Sequence, residues 1–215
     1  MNRIAIIDYG MGNLHSMAKA LQRVAPKAQV EITAEPSRLR SANRLIFPGQ
    51  GAIGHCMEEL QRRELHVLLG ELVTQKPMLG VCLGLQAALE YSEENSGTDC
   101  LKWIPGRVRR FTADLRETPN GDTIRIPHMG WNRVEPLDAH PLWRHIEPGT
   151  RFYFVHSYYA PADTRGAAAT TAYGVEFASA LGQDLFFAVQ FHPEKSQKAG
   201  LQLLENFANW DGGSH

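Results

Sequence analysis

Cysteine is scarce in this chain, with Cys56, Cys82 and Cys100 the only three among 215 residues. Their odd number and wide spacing, without a C-x-x-C pair, argue against a disulfide framework and indicate no zinc site. A reducing compartment follows. Charge of one sign is also lacking: 22 Lys and Arg against 23 Asp and Glu leave a formal net charge of −1. That balance supplies no electrostatic argument for nucleic acid or for an anionic membrane. Long apolar runs are missing too, since none reaches membrane-spanning length and Met1 to Asp8 carries neither the apolar core nor the cleavage site of a signal peptide. The expectation is a cytoplasmic protein that acts on a small molecule or docks another protein. No internal repeat is visible, and only Asp211 to His215 read as a tail.

What is present suffices for one sizeable core. With 43% hydrophobic and 21% charged residues, the chain is most simply a single domain over 1–215. A strand at Ile4 to Ile7, a loop Asp8 to Asn13 with Gly10 and Gly12, and a helix from about Leu14 to Val24 make a first βα unit of a parallel sheet. The G-x-G in that loop fits a simple turn better than a dinucleotide site, because the third glycine is missing. Further strands are expected at Val30 to Thr33, Arg44 to Phe47, Phe152 to Val155 and Phe186 to Phe191, with helical patterns from Cys56 to Val73 and Gln197 to Trp210. Between Asn95 and Pro127 the texture suggests an antiparallel excursion with a hairpin turn at Asn120-Gly121. Pro161 to Tyr173 reads as a loop and an edge strand. His128 to Asn132, with Trp131, suits either core or a partner surface.

One stretch concentrates the chemistry. Pro77 to Val81 is an apolar run that enters Gly80-Val81-Cys82-Leu83-Gly84 and then the helix-favouring Leu85 to Glu90. Strand, tight turn and helix are the nucleophile-elbow arrangement with Cys82 in the nucleophile's place. A thiol at a helix N-terminus has its thiolate favoured by the dipole, and the Leu83 N–H becomes one oxyanion donor. An inert, buried cysteine fits the same pattern equally well.

Two other strand ends add to it. Pro48-Gly49-Gln50-Gly51 follows the third strand, and such a turn either exposes N–H groups in a concave nest or is an ordinary Pro-Gly turn. Phe186 to Phe191 runs into His192-Pro193-Glu194. Pro193 pushes His192 toward an extended conformation, so that residues 192 and 194 project together as base and orienting carboxylate. The alternative there is a surface turn with Ser196 capping the last helix. His156 is read as a packing or support residue. All three motifs fall at strand C-terminal ends, where open α/β sheets place their sites, and chance seldom produces the set in this order.

Taken together the motifs resemble the class I (triad) glutamine amidotransferases along the whole chain. The resemblance rests on Gly80 to Gly84 with Gln86, on His192 to Ser196, and on Asp8 to Asn13, Pro48 to Gly51, Pro127 to Asn132 and Tyr153 to Tyr158. Within that family these blocks are most similar to the glutaminase subunits that pass ammonia to a (β/α)8-barrel cyclase subunit, as a heterodimer, in histidine biosynthesis. The resemblance implies a flavodoxin-like, mostly parallel open sheet with helices on both faces and an antiparallel extension. It implies glutamine as substrate, no cofactor and no metal. Cys82, His192 and Glu194 would be catalytic, with Leu83, Gly49, Gln50 and Gly51 at the oxyanion. Gln86, Glu94, Ser157 and Tyr158 would hold substrate, and Asn13, Trp131, Tyr153 and Lys195 would lie at the partner interface. Two rivals stay open: a cysteine α/β-hydrolase, whose acid should precede its histidine, and a docking subunit without turnover.

Overall fold

A computed structural model of the chain describes residues 2–112 and 124–213. The parallel half begins with β1 (Arg3–Ile7), α1 (Leu14–Val24), β2 (Gln29–Thr33), α2 (Pro36–Ser41) and β3 (Arg44–Gly49). It continues with α3 (Ile53–Arg62), α4 (Leu65–Leu72), β4 (Met78–Cys82) and α5 (Leu83–Ala87). Short strands β5 (Tyr91–Ser92), β6 (Thr98–Asp99) and β7 (Arg107–Arg110) follow, then β8 (His128–Pro136), β9 (Thr150–His156) and β10 (Tyr158–Pro161). The chain closes with β11 (Ala167–Tyr173), β12 (Val175–Gln183), β13 (Phe186–Val189) and α6 (Gln197–Asn209).

The sheet runs in the order β2-β1-β3-β4-β13-β12-β10-β7-β5-β6. Its first five strands pair in parallel and the sheet turns antiparallel at β12. Side chains alternate across it as the pleat demands: Ile4, Ile6 and Ile46 enter one core with Met17 and Leu21 of α1 and Leu203 and Phe207 of α6. Ala5, Ile7, Leu45 and Phe47 enter the other with Leu60 of α3 and Leu69 of α4. Helices therefore cover both faces, as expected for parallel strands that are apolar on both sides. Among the described residues no helix is long and apolar enough to cross a membrane.

Several expectations need correction. The helical run from Cys56 to Val73 is two helices, broken at Glu64 with φ 57°. Its buried positions explain the break: Ile53, Cys56, Met57 and Leu60 are followed by Leu65, Leu68, Leu69 and Leu72, one residue late for a continuous 3.6-residue stripe. The third strand continues through Pro48 and Gly49, because only β4 pairs with it there and the missing Pro48 N–H breaks no ladder toward β1. β11 is no edge strand; β12 and β8 flank it, its Ala and Thr side chains being small enough to lie between two neighbours. The Asn120-Gly121 hairpin turn falls outside the described residues.

Candidate active site

Cys82 ends β4 and caps α5 with φ 54° and ψ −104°, a conformation that β-carbon-bearing residues adopt only when their surroundings compel it. The compulsion comes from close packing. A Cβ on Gly84 would stand 2.2 Å from the Phe47 carbonyl oxygen, and one on Gly80 2.9 Å from Ala188 Cβ. Only glycine at both positions lets β3, β13 and α5 close around the turn. The thiol borders a cavity of about 420 Å³ that Gln50, Gly51, Leu83, Gln86, Glu94, Ser157, Tyr158, His192 and Lys195 also line.

His192 follows β13 in extended conformation, φ −102° and ψ 97°, as its position before proline requires. Its Nδ1 lies 2.9 Å from Glu194 Oε1, with the two side chains 2% and 3% exposed. The other ring nitrogen, Nε2, is buried without a hydrogen-bond partner among the described residues. Burial opposes charge on the ring, but the Cys82 sulfur and the Glu194 carboxylate outweigh it and push the imidazole up to about 10. Sulfur and ring line the same cavity, with no hydrogen bond formed between them.

A backbone strap holds the turn. His192 N–H donates to the Tyr153 carbonyl at 2.9 Å, Tyr153 N–H donates to Ser196 Oγ at 2.9 Å, and that hydroxyl donates to the His192 carbonyl at 2.6 Å. Ser196 does stand at the N-terminus of α6, yet its side chain makes no cap bond to the helix. The hydroxyl is spent on β9 instead, a contact that local sequence does not encode.

The other expected residues gather at the same rim. Gly49 pairs with Cys82 across β3 and β4, and its Cβ position is 2.5 Å from Leu83 Cβ, so the Gly49 to Gly51 turn abuts the start of α5. Glu94 reaches the cavity with one oxygen already accepting the Ile53 N–H at 2.9 Å, at the start of α3. The Tyr158 carbonyl accepts from Gln86 Nε2 at 2.9 Å and from His156 Nδ1 at 2.8 Å, and the Ser157 carbonyl accepts from Phe111 N–H at 3.1 Å. Trp131 and Tyr153 meet edge to face with centroids 6.1 Å apart, on a surface where Met129 is 62% and Trp131 42% exposed. Asn13 borders a small recess shared with Gln50, His192 and Glu194. Among the described residues no group of three or more His, Cys, Asp or Glu is arranged to hold a metal ion.

One residue escaped the sequence reading. Gln190 is fully buried, donates to Cys82 Sγ at 3.6 Å and accepts from Gln86 at 3.0 Å. Its signal was a lone amide inside the apolar run before His192. His156, expected as a support residue, has both ring nitrogens committed, one to His128 and one to the Tyr158 carbonyl.

Comparison with known proteins adds the context. Residues 5–210 match the family described as glutamine amidotransferase class-I. Among curated proteins, the imidazole glycerol phosphate synthase subunit HisH of Nitrosococcus oceani is 52% identical over 99% of both chains. The protein of that name from Methylococcus capsulatus is 53% identical over 98% of both. A solved glutamine amidotransferase superposes with a TM-score of 0.70 over 96% of this chain and 99% of its own, at 15% identity, which shows the fold alone.

Proposed function

The chain belongs to the class-I glutamine amidotransferase family, and from that premise we propose that it is the glutaminase subunit of an imidazole glycerol phosphate synthase. It hydrolyses glutamine to glutamate and ammonia and delivers the ammonia to a (β/α)8-barrel cyclase subunit. That partner makes imidazole glycerol phosphate and an aminoimidazole carboxamide ribonucleotide in histidine biosynthesis. The observation that carries this reading is full-length identity of about half to relatives of that name. The chain acts as one domain, and the cytoplasm suits its three unpaired cysteines.

The site chemistry supports the same reading. Cys82 attacks the side-chain amide carbon of glutamine; the carbon–nitrogen bond breaks, and His192 protonates the departing nitrogen. Water, losing its proton to His192, then cleaves the γ-glutamyl thioester and regenerates the thiol. Glu194 keeps the imidazole in the orientation that faces sulfur. Backbone N–H groups of Leu83 and of Gly49, Gln50 and Gly51 receive the oxyanion. Gln86, Glu94, Ser157 and Tyr158 hold the amino-acid end of the substrate. Asn13, Trp131, Tyr153 and Lys195 face the cyclase, whose docking keeps ammonia out of water, where protonation would end its nucleophilicity.

Mixing the chain with a cyclase subunit and following glutamate release tests the proposal. Cys82→Ala should abolish glutamine-dependent synthesis by the complex while ammonia-dependent synthesis persists. Loss of both would make Cys82 structural, and glutamate release unaffected by the substitution would refute the nucleophile.

A further inference from the structure

An unbroken run of hydrogen bonds joins strand β8 to the nucleophile. It starts at Asn132, whose Nδ2 lies 3.3 Å from His128 Nε2 and also donates to the Ala172 carbonyl at 2.9 Å. His128 Nδ1 lies 2.9 Å from His156 Nε2, and His156 Nδ1 lies 2.8 Å from the Tyr158 carbonyl oxygen. That oxygen also accepts from Gln86 Nε2, which donates its second hydrogen to Gln190 Oε1 at 3.0 Å. Gln190 Nε2 ends the run on Cys82 Sγ at 3.6 Å.

The direction of each bond is forced. A carbonyl oxygen can only accept, so His156 Nδ1 carries the hydrogen and its Nε2 is a lone pair. Burial holds His156 down to about 3, with help from His128, and His128 down to about 4, so both rings are neutral. His128 Nδ1 must then donate, and its Nε2 accepts from Asn132. Asn132 cannot turn over, because its Oδ1 accepts the Arg133 N–H at 2.8 Å. Both hydrogens of Gln86 are used, which fixes the amide of Gln190 with its donor toward sulfur. The rings are further clamped by Phe154 and Tyr173, stacked on His128 with centroids 4.8 and 3.9 Å away. In a low-dielectric interior such a run orders each member through its neighbours.

We propose that His128 and His156 are positioning residues: they orient the Tyr158 carbonyl and, through Gln86 and Gln190, the donor that rests on the Cys82 sulfur. The strand on which this run starts also carries the exposed Trp131 and Met129, so a shift of β8 changes what the sulfur receives. This deepens the glutaminase reading and rests on it for its effect on turnover, although the reactivity of the thiol tests it separately.

Alkylation of the intact chain by iodoacetamide at neutral pH, quantified at Cys82 by mass spectrometry, reads the donor on sulfur without partner or substrate. His128→Leu and His156→Leu should slow it about fivefold, the scale of one lost hydrogen bond. His128→Asn, whose amide keeps a donor near the Nδ1 position, should remain within about twofold by the same measure. Equal rates in all these proteins would overturn the proposal, and so would an equal loss in His128→Asn and His128→Leu, which would reduce the pair to packing. If the leucine variants do not fold, His128→Gln, with its donor displaced, against His128→Asn makes the same comparison. In the cyclase complex the slowed variants should raise KM for glutamine about tenfold with a smaller change in kcat. A wild type that releases no glutamate would strike the glutaminase reading alone, leaving the alkylation result to decide this one.

Discussion

His192 with Glu194 and His128 with His156 are two buried pairs on one rim of the sheet, and their imidazoles shift in opposite directions. Burial alone drives an imidazole toward neutrality, and the second pair obeys: its members fall to about 4 and about 3. The first pair faces a carboxylate and a sulfur, and its ring rises to about 10. The same side chain at similar depth thus favours its charged form in one place and its neutral form in the other, according to what touches its two nitrogens.

The sharpest way to break that contrast is to remove its charged member. His192→Ala should lower glutamine hydrolysis in the complex by about 10³-fold or more, measured as glutamate release, while the far-ultraviolet spectrum is unchanged. A smaller effect comes from outside the pair. A Cβ on Gly200 would lie 1.8 Å from the Pro193 carbonyl oxygen, so Gly200→Ala should push the His192 turn out of register and cost roughly 1–3 kcal/mol of stability. Denaturant midpoints together with kcat check it, and retention of both would mean that the turn yields freely.

The neutral pair predicts pH dependence of a definite sign. Folded values below the ordinary 6.5 mean that the unfolded chain takes up these protons first. Stability present above pH 6.5 is lost as pH falls toward 4 and 3, at up to about 1.4 kcal/mol per pH unit for each ring. His140, also lowered by burial to about 4, adds to the slope. His192 works the other way: its contribution is full below 6.5 and fades as pH rises toward 10. Thermal midpoints measured across pH 4–10 should fall at both ends, and His128→Asn should flatten only the acid side. The smallest effect concerns the other thiols. Burial raises Cys56 and Cys100 to about 12, so limiting iodoacetamide at pH 7 should label Cys82 alone by peptide mapping.

Most of the parallel fold was legible because β1, α1, β2, β4, β13 and α6 each carry their own period of apolar residues and their own turn chemistry. The elbow was legible for the same reason: Gly80 and Gly84 bracket Cys82 within five positions. The break at Glu64 was visible only as a one-residue slip between Leu60 and Leu65, easily absorbed into one long helix. β11 was misread as an edge because Ala and Thr say little about how many strands flank them. Ser196 looked like a cap because its role in the strap depends on Tyr153, 43 residues away.

By itself, the sequence determined which chemical groups stand at the strand ends and that Pro193 sets His192 and Glu194 side by side, since torsions and short spacings are local properties. Only the tertiary structure decided that the His192 imidazole is pushed up and that of His156 down, and that Gln190 reaches sulfur across 108 positions of chain. Charge state and hydrogen-bond direction depend on what lies within a few ångströms in space, and here those neighbours come from β4, α5, β8, β9, β10 and the segment after β13 together.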